Sequence, residues 1–351
     1  MTPQLRAALE ALPAYAPGRT VPGAIKLASN EMPFPPLDVV VAAITAAAAG
    51  VNRYPDNGSQ ALTAKLAGRF GVDAAQIAVG CGSVALCQQL VEATCVPGDE
   101  VLYAWRSFEA YPIVTHVVGA TSVHVPLSDE ALDLAALGDA ITDRTRLIFV
   151  CSPNNPTGTV VHRDALDAFL ARVPDRILVV LDEAYREFVD DPAAVDGIDY
   201  ARGRSNVLVL RTLSKAYGLA GLRVGFAVGD PVVMTTLRKI GIPFAVNALA
   251  QAAAIASLDA EDELLARCRQ IMAERSRVLD ALLGAGFAVP PTQANFVWLP
   301  LRDRATQFAA HCEAAQIIVR PFADPGNGGV RVSIGTTEQN DAFLAAARSF
   351  R

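Results

Sequence analysis

Paired metal ligands are missing from this chain. Its 351 residues hold four histidines (His116, His124, His162, His311) and six cysteines (Cys81, Cys87, Cys95, Cys151, Cys268, Cys312), and neither set falls at metal-site spacing. No metal is therefore expected. The cysteines lie mostly in apolar context, which points to free buried thiols and a reducing cytoplasm. Long hydrophobic runs are lacking too. No segment reaches about 18 uninterrupted apolar residues, so no membrane span is expected. Residues 2–19 carry no basic region followed by an apolar core, so no signal peptide is expected. A net charge of −6 and a pI near 5.3 argue against a nucleic-acid or anionic-membrane surface. P-loop lysine, hydrolase nucleophile elbow, zinc-protease helix, internal repeat and low-complexity tract are all missing.

What is there is a large apolar content, 52% hydrophobic against 19% charged. A chain of this length can bury a sizeable core, and two closely packed domains are the expectation. From about residue 76 to residue 230 short aliphatic runs alternate with helical periods. The runs are Ile77–Val79, Val101–Tyr103, Leu147–Val150, Ile177–Leu181 and Val207–Leu210; Ser83–Thr94 and Arg163–Val173 are helical between them. That alternation predicts a mostly parallel sheet covered on both faces. After Pro231 the pattern turns to longer helices, such as Glu261–Leu283 ended by Gly284. Three short strands follow, at Asn295–Leu299, Ile317–Arg320 and Val330–Ile334, so a smaller α+β domain is expected there.

Three segments carry chemistry. In Thr212-Leu213-Ser214-Lys215 a lysine follows two spaced hydroxyls, and Arg223 comes eight residues later, past Gly218 and Gly221. Hydroxyls and a guanidinium make a phosphate cradle, beside which a lysine could form a Schiff base with a phosphorylated aldehyde. Asp182-Glu183-Ala184-Tyr185 ends the 177–181 run. An acid at the carboxyl end of a buried strand sits where open α/β sheets bind ligands, and could anchor a pyridine nitrogen or simply cap the next helix. Ser152-Pro153-Asn154-Asn155-Pro156-Thr157-Gly158 follows the 147–150 run. It reads as a turn, in which Asn155 could also donate to a ring oxygen or a substrate carboxylate.

The order and spacing of these segments resemble the fold-type I, class I and II aminotransferases, within them the histidinol-phosphate and aromatic aminotransferase branch. Lys26-Leu27-Ala28-Ser29-Asn30-Glu31, Asn52-Arg53-Tyr54-Pro55, Gly80-Cys81-Gly82-Ser83 and Arg331-Val332-Ser333-Ile334-Gly335 extend the likeness over nearly the whole chain. The resemblance implies a large pyridoxal-phosphate-binding α/β domain (37–240) with a mostly parallel mixed sheet flanked by helices. It also implies a smaller α+β domain (241–351) joined by an N-terminal arm (1–36). Lys215 would be the Schiff-base lysine and proton shuttle, and Asp182 the partner of the pyridine nitrogen. Tyr185 and Asn155 would bond the ring 3-oxygen, with Asn155 also near the substrate. Thr212, Ser214 and Arg223, with the backbone of Ser83 and Val84, would hold the phosphate, and Phe108 would stack on the ring or pack in the core. Tyr54 would reach the phosphate of the neighbouring subunit, making an obligate homodimer with shared sites, or else be an exposed turn residue. Arg331 would bind the substrate α-carboxylate. Arg320 would face the distal end of the substrate or make a surface salt bridge, and Tyr15 would close as a lid.

The activity implied is transfer of an amino group from an aromatic amino acid to 2-oxoglutarate. Histidinol-phosphate enzymes share the residues named above, and histidinol phosphate is the alternative substrate. Met32-Pro33 and Val84-Ala85 depart from the commoner histidinol-phosphate pattern by removing polar groups, which favours the aromatic branch. A catalytically silent regulator of the same fold is a further rival, opposed by the intact Lys215, Asp182 and Arg331. Gly80-Cys81-Gly82-Ser83-Val84-Ala85 also fits a dinucleotide fingerprint. The acidic pair Asp99-Glu100, however, precedes the next strand instead of ending it.

Overall fold

The aliphatic runs form strands because β-branched and aliphatic side chains fit a pleated, doubly covered surface. In the computed structural model, residues 18–324 and 326–350 are described, with isolated positions before them. In chain order the strands are β1 (Ile25–Lys26), β2 (Ile77–Gly80), β3 (Glu100–Trp105), β4 (Thr121–Pro126), β5 (Thr145–Cys151) and β6 (Leu178–Asp182). They continue with β7 (Val207–Thr212), β8 (Gly225–Val228), β9 (Phe296–Leu299), β10 (Ile317–Ile318), β11 (Arg320–Phe322) and β12 (Gly329–Ser333).

Seven of them build one sheet in the order β2-β8-β7-β6-β5-β3-β4. The β4, β3, β5, β6 and β7 neighbours pair in parallel, whereas β8 runs antiparallel to both β7 and β2. The sheet is thus mostly parallel and mixed, as the alternation of elements predicts.

Side-chain alternation explains why both faces are dry. Ile148, Val150, Val179, Leu181, Val207 and Val209 enter one apolar cluster. Their neighbours Leu147, Phe149, Leu178, Val180, Leu208 and Leu210 enter the other. Successive residues of a strand point to opposite faces, so each strand feeds two cores. The second face is covered by the helices Gly82–Thr94, Ala110–Val118 and Pro231–Ile240, through Leu86, Leu90, Tyr111, Val114, Met234 and Leu237.

The C-terminal residues form a three-stranded antiparallel sheet, β11-β12-β9, with Arg320 opposite Arg331. The stretch expected as one strand from Ile317 to Arg320 is divided: β10 pairs with β1 and β11 with β12. The segment around β1 is tied to the C-terminal residues. Leu27 N–H donates to the Ile318 carbonyl at 2.8 Å and Ser333 N–H donates to the Leu27 carbonyl at 2.9 Å. The long helix Glu261–Gly284 lies close to its expected bounds, and the helix Ala248–Asp259 packs against Asp38–Ala48. No helix among the described residues is long and apolar enough to cross a membrane.

Candidate active site

Strands β5 and β6 end level with one another and β7 runs two residues further, which brings the loops that build the site to one edge. Cys151 at the end of β5 is in register with Asp182 at the end of β6, and Asp182 with Leu210 of β7. The loops leaving these ends carry Asn155, Tyr185 and Lys215 into one cavity of about 220 Å³. Its lining includes Ser83, Val84, Phe108, Asn155, Asp182, Tyr185, Thr212, Ser214, Lys215, Arg223 and Arg331. Residues as far apart in the sequence as Ser29 and Arg331 therefore converge, at the carboxyl edge where open α/β sheets bind ligands.

One end of the cavity is an anion cradle. The helix Gly82–Thr94 starts here with no side chain capping its first N–H groups, which leaves them and the positive end of the helix dipole to an anion. Arg223 Nη1 donates to Ser214 Oγ at 3.2 Å, and Ser214 N–H donates to Thr212 Oγ1 at 3.2 Å. Gly82 has φ +75°, and a Cβ there would collide with the Arg223 guanidinium. The cradle needs glycine at that position for both reasons.

The floor is Asp182. It is 3% exposed, and Tyr111 Oη donates to its Oδ2 at 2.7 Å. Its Oδ1 is buried with no hydrogen-bond partner among the described residues. Burial pushes this carboxyl up to about 6, against the opposing pull of the Tyr111 hydroxyl and the Ala184 N–H. Beside it the Tyr185 hydroxyl accepts from Asn30 Nδ2 at 3.0 Å, which leaves its own hydrogen available to a ligand oxygen. Asn155 Oδ1 accepts from Arg331 Nη1 at 2.5 Å, so its amide nitrogen is the group available to a ligand.

Lys215 stands between cradle and floor, its Nζ donating to the Ser29 carbonyl at 3.0 Å. Loss of hydration, then the positive charge of Arg331, brings its pKa down to about 7; Arg223 and Lys26 add to this and Glu31 opposes it. A lysine so placed is partly neutral, hence nucleophilic, at neutral pH. Arg331 also donates through Nη2 to the Ala28 carbonyl at 2.9 Å and lies over the rings of Phe296 and Phe322.

An orphaned carboxylate oxygen, a phosphate-sized cradle and a depressed lysine form a donor set that fits pyridoxal phosphate, a pyridine that carries both a phosphate and an aldehyde. Among the described residues, Tyr54 and Arg320 do not line this cavity. Tyr54 is 82% exposed and stacks on Phe244 with ring centroids 4.5 Å apart. Arg320 donates to Glu109 at 2.9 Å and lies over the Phe322 ring. Tyr15 falls outside the described residues. Met32 lines an adjoining cavity with Phe34 and Ile334. Val84 faces the site, but Ala85 lines a different cavity, so only the first of that pair shapes the pocket wall. Glu100 opens β3 and pairs with Arg144, away from any ribose position.

Sequence reading missed Tyr111, Asn30 in its bonded role, and the ion pair beneath the site. In that pair Arg211 Nη2 donates to Glu183 Oε2 at 2.8 Å and to Asp196 Oδ1 at 2.8 Å. The only signal for it was an acid directly after Asp182 at the end of one apolar strand and an arginine beside Thr212 inside another.

The chain belongs to the aminotransferase class I and II family, whose model matches residues 22–346. Among curated proteins, it is 58% identical to an aromatic amino acid aminotransferase of Streptomyces coelicolor, over 100% of this chain and 98% of that protein. It is 60% identical to one of Rhodococcus jostii, over 99% and 96%. Among solved structures it is similar to a histidinol-phosphate aminotransferase from Sinorhizobium meliloti in complex with pyridoxal-5'-phosphate. That likeness has a TM-score of 0.91 at 29% identity, over 99% of this chain and 97% of that one.

Proposed function

We propose that this chain is a pyridoxal 5'-phosphate-dependent aromatic amino acid aminotransferase, moving the amino group of phenylalanine, tyrosine or tryptophan to 2-oxoglutarate. The observation that carries the substrate class is full-length identity of 56–60% to relatives bearing that name. The apolar wall at Val84 and Phe108 agrees with it.

When bound, the cofactor supplies the electron sink for the amino acid's Cα–H bond. The protein does the rest. Lys215 Nζ, partly neutral at pH 7, would hold the cofactor aldehyde and would be the base placed for the amino acid's Cα proton. Asp182 Oδ1 accepts the pyridine N–H and keeps that nitrogen protonated. The Tyr185 hydroxyl and the Asn155 amide donate to the ring 3-oxygen, and Phe108 packs on the ring face. Thr212, Ser214, Arg223 and the N–H groups of Ser83 and Val84 bind the phosphate. Arg331 grips the α-carboxylate with a planar fork that a lysine cannot supply. Arg320 borders the distal end of the substrate through its pair with Glu109, and Tyr15 closes over it.

The working unit is a homodimer in which Tyr54 reaches the partner's cofactor phosphate. Its exposed ring, stacked on half-exposed Phe244 beside exposed Ile242, is an apolar surface suited to a second subunit. Residues 1–36 act as an arm joining a small domain (241–351) to the large cofactor domain (37–240). The six free thiols suit a reducing cytoplasm, and a place in amino-acid biosynthesis follows from the reaction.

Side-by-side kinetics with phenylalanine, tyrosine, histidine and histidinol phosphate, all with 2-oxoglutarate, test this reading. Phenylalanine and tyrosine are expected to show the higher kcat/KM by about tenfold, a discrimination one altered pocket wall can supply. A better rate with histidinol phosphate, the substrate named in the Sinorhizobium structure, would overturn the choice of substrate.

A further inference from the structure

The helix Ala110–Val118 brings to the site a side chain that no motif marks. Tyr111 is fully buried; its ring stacks on Phe149 at 4.2 Å with an interplanar angle of 6°, and meets the Phe108 ring edge-on at 5.5 Å. Braced by these rings and by Tyr103, whose ring centroid lies 5.5 Å away, its hydroxyl reaches Asp182 Oδ2 at 2.7 Å. The other oxygen of that carboxylate, Oδ1, is buried with no partner among the described residues. A buried carboxylate with one oxygen satisfied and one open is costly unless a donor arrives from outside the chain.

We propose that Tyr111 is a positioning residue. By occupying Oδ2 it fixes the rotation of the carboxyl group, turns Oδ1 toward the pyridine N–H and keeps the negative charge on Asp182. This deepens the role proposed above for Asp182 and rests on it.

The physical case has two parts. First, a phenol is a donor that does not surrender its proton here, because burial and then the Asp182 charge push its own pKa well above the ordinary value. The hydrogen stays on the tyrosine oxygen, and the carboxylate stays an acceptor. Second, the other titratable groups facing Asp182 offer little help. Cys87 from the helix Gly82–Thr94, Cys151 at the end of β5 and Tyr185 beyond β6 all have raised pKa values, chiefly through burial, so they are neutral at pH 7. Lys215 lines the same cavity but directs its Nζ to the Ser29 carbonyl. Tyr111 is the side chain that bonds the carboxylate directly.

Tyr111→Phe keeps the ring contacts and removes only the hydroxyl. In the cofactor-free protein, a carbon-detected NMR titration of Asp182 should move to a higher midpoint than wild type. Affinity for pyridoxal 5'-phosphate at pH 7 should weaken about tenfold. In an Asp182→Asn background the same change should cost no further affinity, because the interaction it removes runs through that carboxylate. An unchanged midpoint, unchanged affinity or a full additional loss in the double variant would each overturn the proposal. Should Tyr111→Phe fail to fold, the wild-type protein still decides the matter. The Tyr111 Cζ resonance should shift with the midpoint of Asp182, and a flat response would overturn the proposal. The cofactor reading fails separately, if wild-type protein takes up no pyridoxal 5'-phosphate at all, and the carboxyl titration judges Tyr111 even then.

Discussion

Arg331 Nη1 and Asn155 Oδ1 lie 2.5 Å apart across 176 residues of chain, which joins the proposed carboxylate grip to the proposed donor for the ring oxygen. The guanidinium holds Asn155 with one nitrogen and the Ala28 carbonyl with another, so its plane is fixed before substrate arrives. Such preorganisation lowers the cost of binding an incoming carboxylate.

Arg331→Lys is expected to lower kcat/KM for aromatic substrates by about 100-fold, most of it in KM, since a single ammonium cannot hold Asn155 and Ala28 and still present a fork. Steady-state kinetics checks this. An unchanged KM would remove Arg331 from substrate binding.

Lys215, with its pKa brought down to about 7, should make cofactor capture pH-dependent in a particular window. The neutral amine is the attacking form, so the rate at which cofactor-free protein binds pyridoxal 5'-phosphate covalently should rise with pH and level off above about 7. A free lysine would place that midpoint near about 10.4. Stopped-flow absorbance reads the midpoint. Lys215→Ala should show neither covalent capture nor turnover, and borohydride should fix no cofactor to it.

Asp182→Asn keeps the shape of the carboxylate and loses its charge. Turnover is expected to fall by about 100-fold or more, because charge placed in a low-dielectric site cannot be replaced by solvent. A loss below about tenfold, equivalent to about 1.4 kcal/mol, would reduce Asp182 to a structural residue.

Tyr54 is tested by complementation. Mixing Lys215→Ala subunits with Tyr54→Phe subunits should give heterodimers with one site restored and activity above either parent. Mixed dimers with no gain in activity would rule out a shared site.

Arg211 bears on stability rather than chemistry. Its guanidinium pairs with fully buried Glu183, so Arg211→Met strands a buried carboxylate. Loss of about 3–5 kcal/mol is expected by chemical denaturation, and a loss below about 1 kcal/mol, the range of exposed ion pairs, would contradict the burial argument.

Much of this was legible in the chain. Strands β5, β6 and β7 were readable because continuous aliphatic runs have one use in a doubly covered sheet, and Lys215, Asp182, Asn155 and Arg223 were readable because each sits in a local signature at a strand end. The edge strand Thr121–Pro126 and the short strand Gly225–Val228 were not readable. The first alternates with exposed polar residues, and the second is too short and glycine-flanked to stand out. The single strand expected at 317–320 divides because two different partners claim its halves.

The sequence by itself determined the alternating α/β order, the cofactor class and most of the residues that line the candidate site, since each of these is written in a few consecutive positions. Only the tertiary structure decided that Tyr111 bonds Asp182 across 71 residues, that Asn30 bonds Tyr185 across 155, and that Val84 faces the site while Ala85 turns away. Periodicity reports which face of an element is apolar. It carries no information on which distant polar group will lie within hydrogen-bond reach, because that depends on how strands register and helices dock after the chain has closed upon itself.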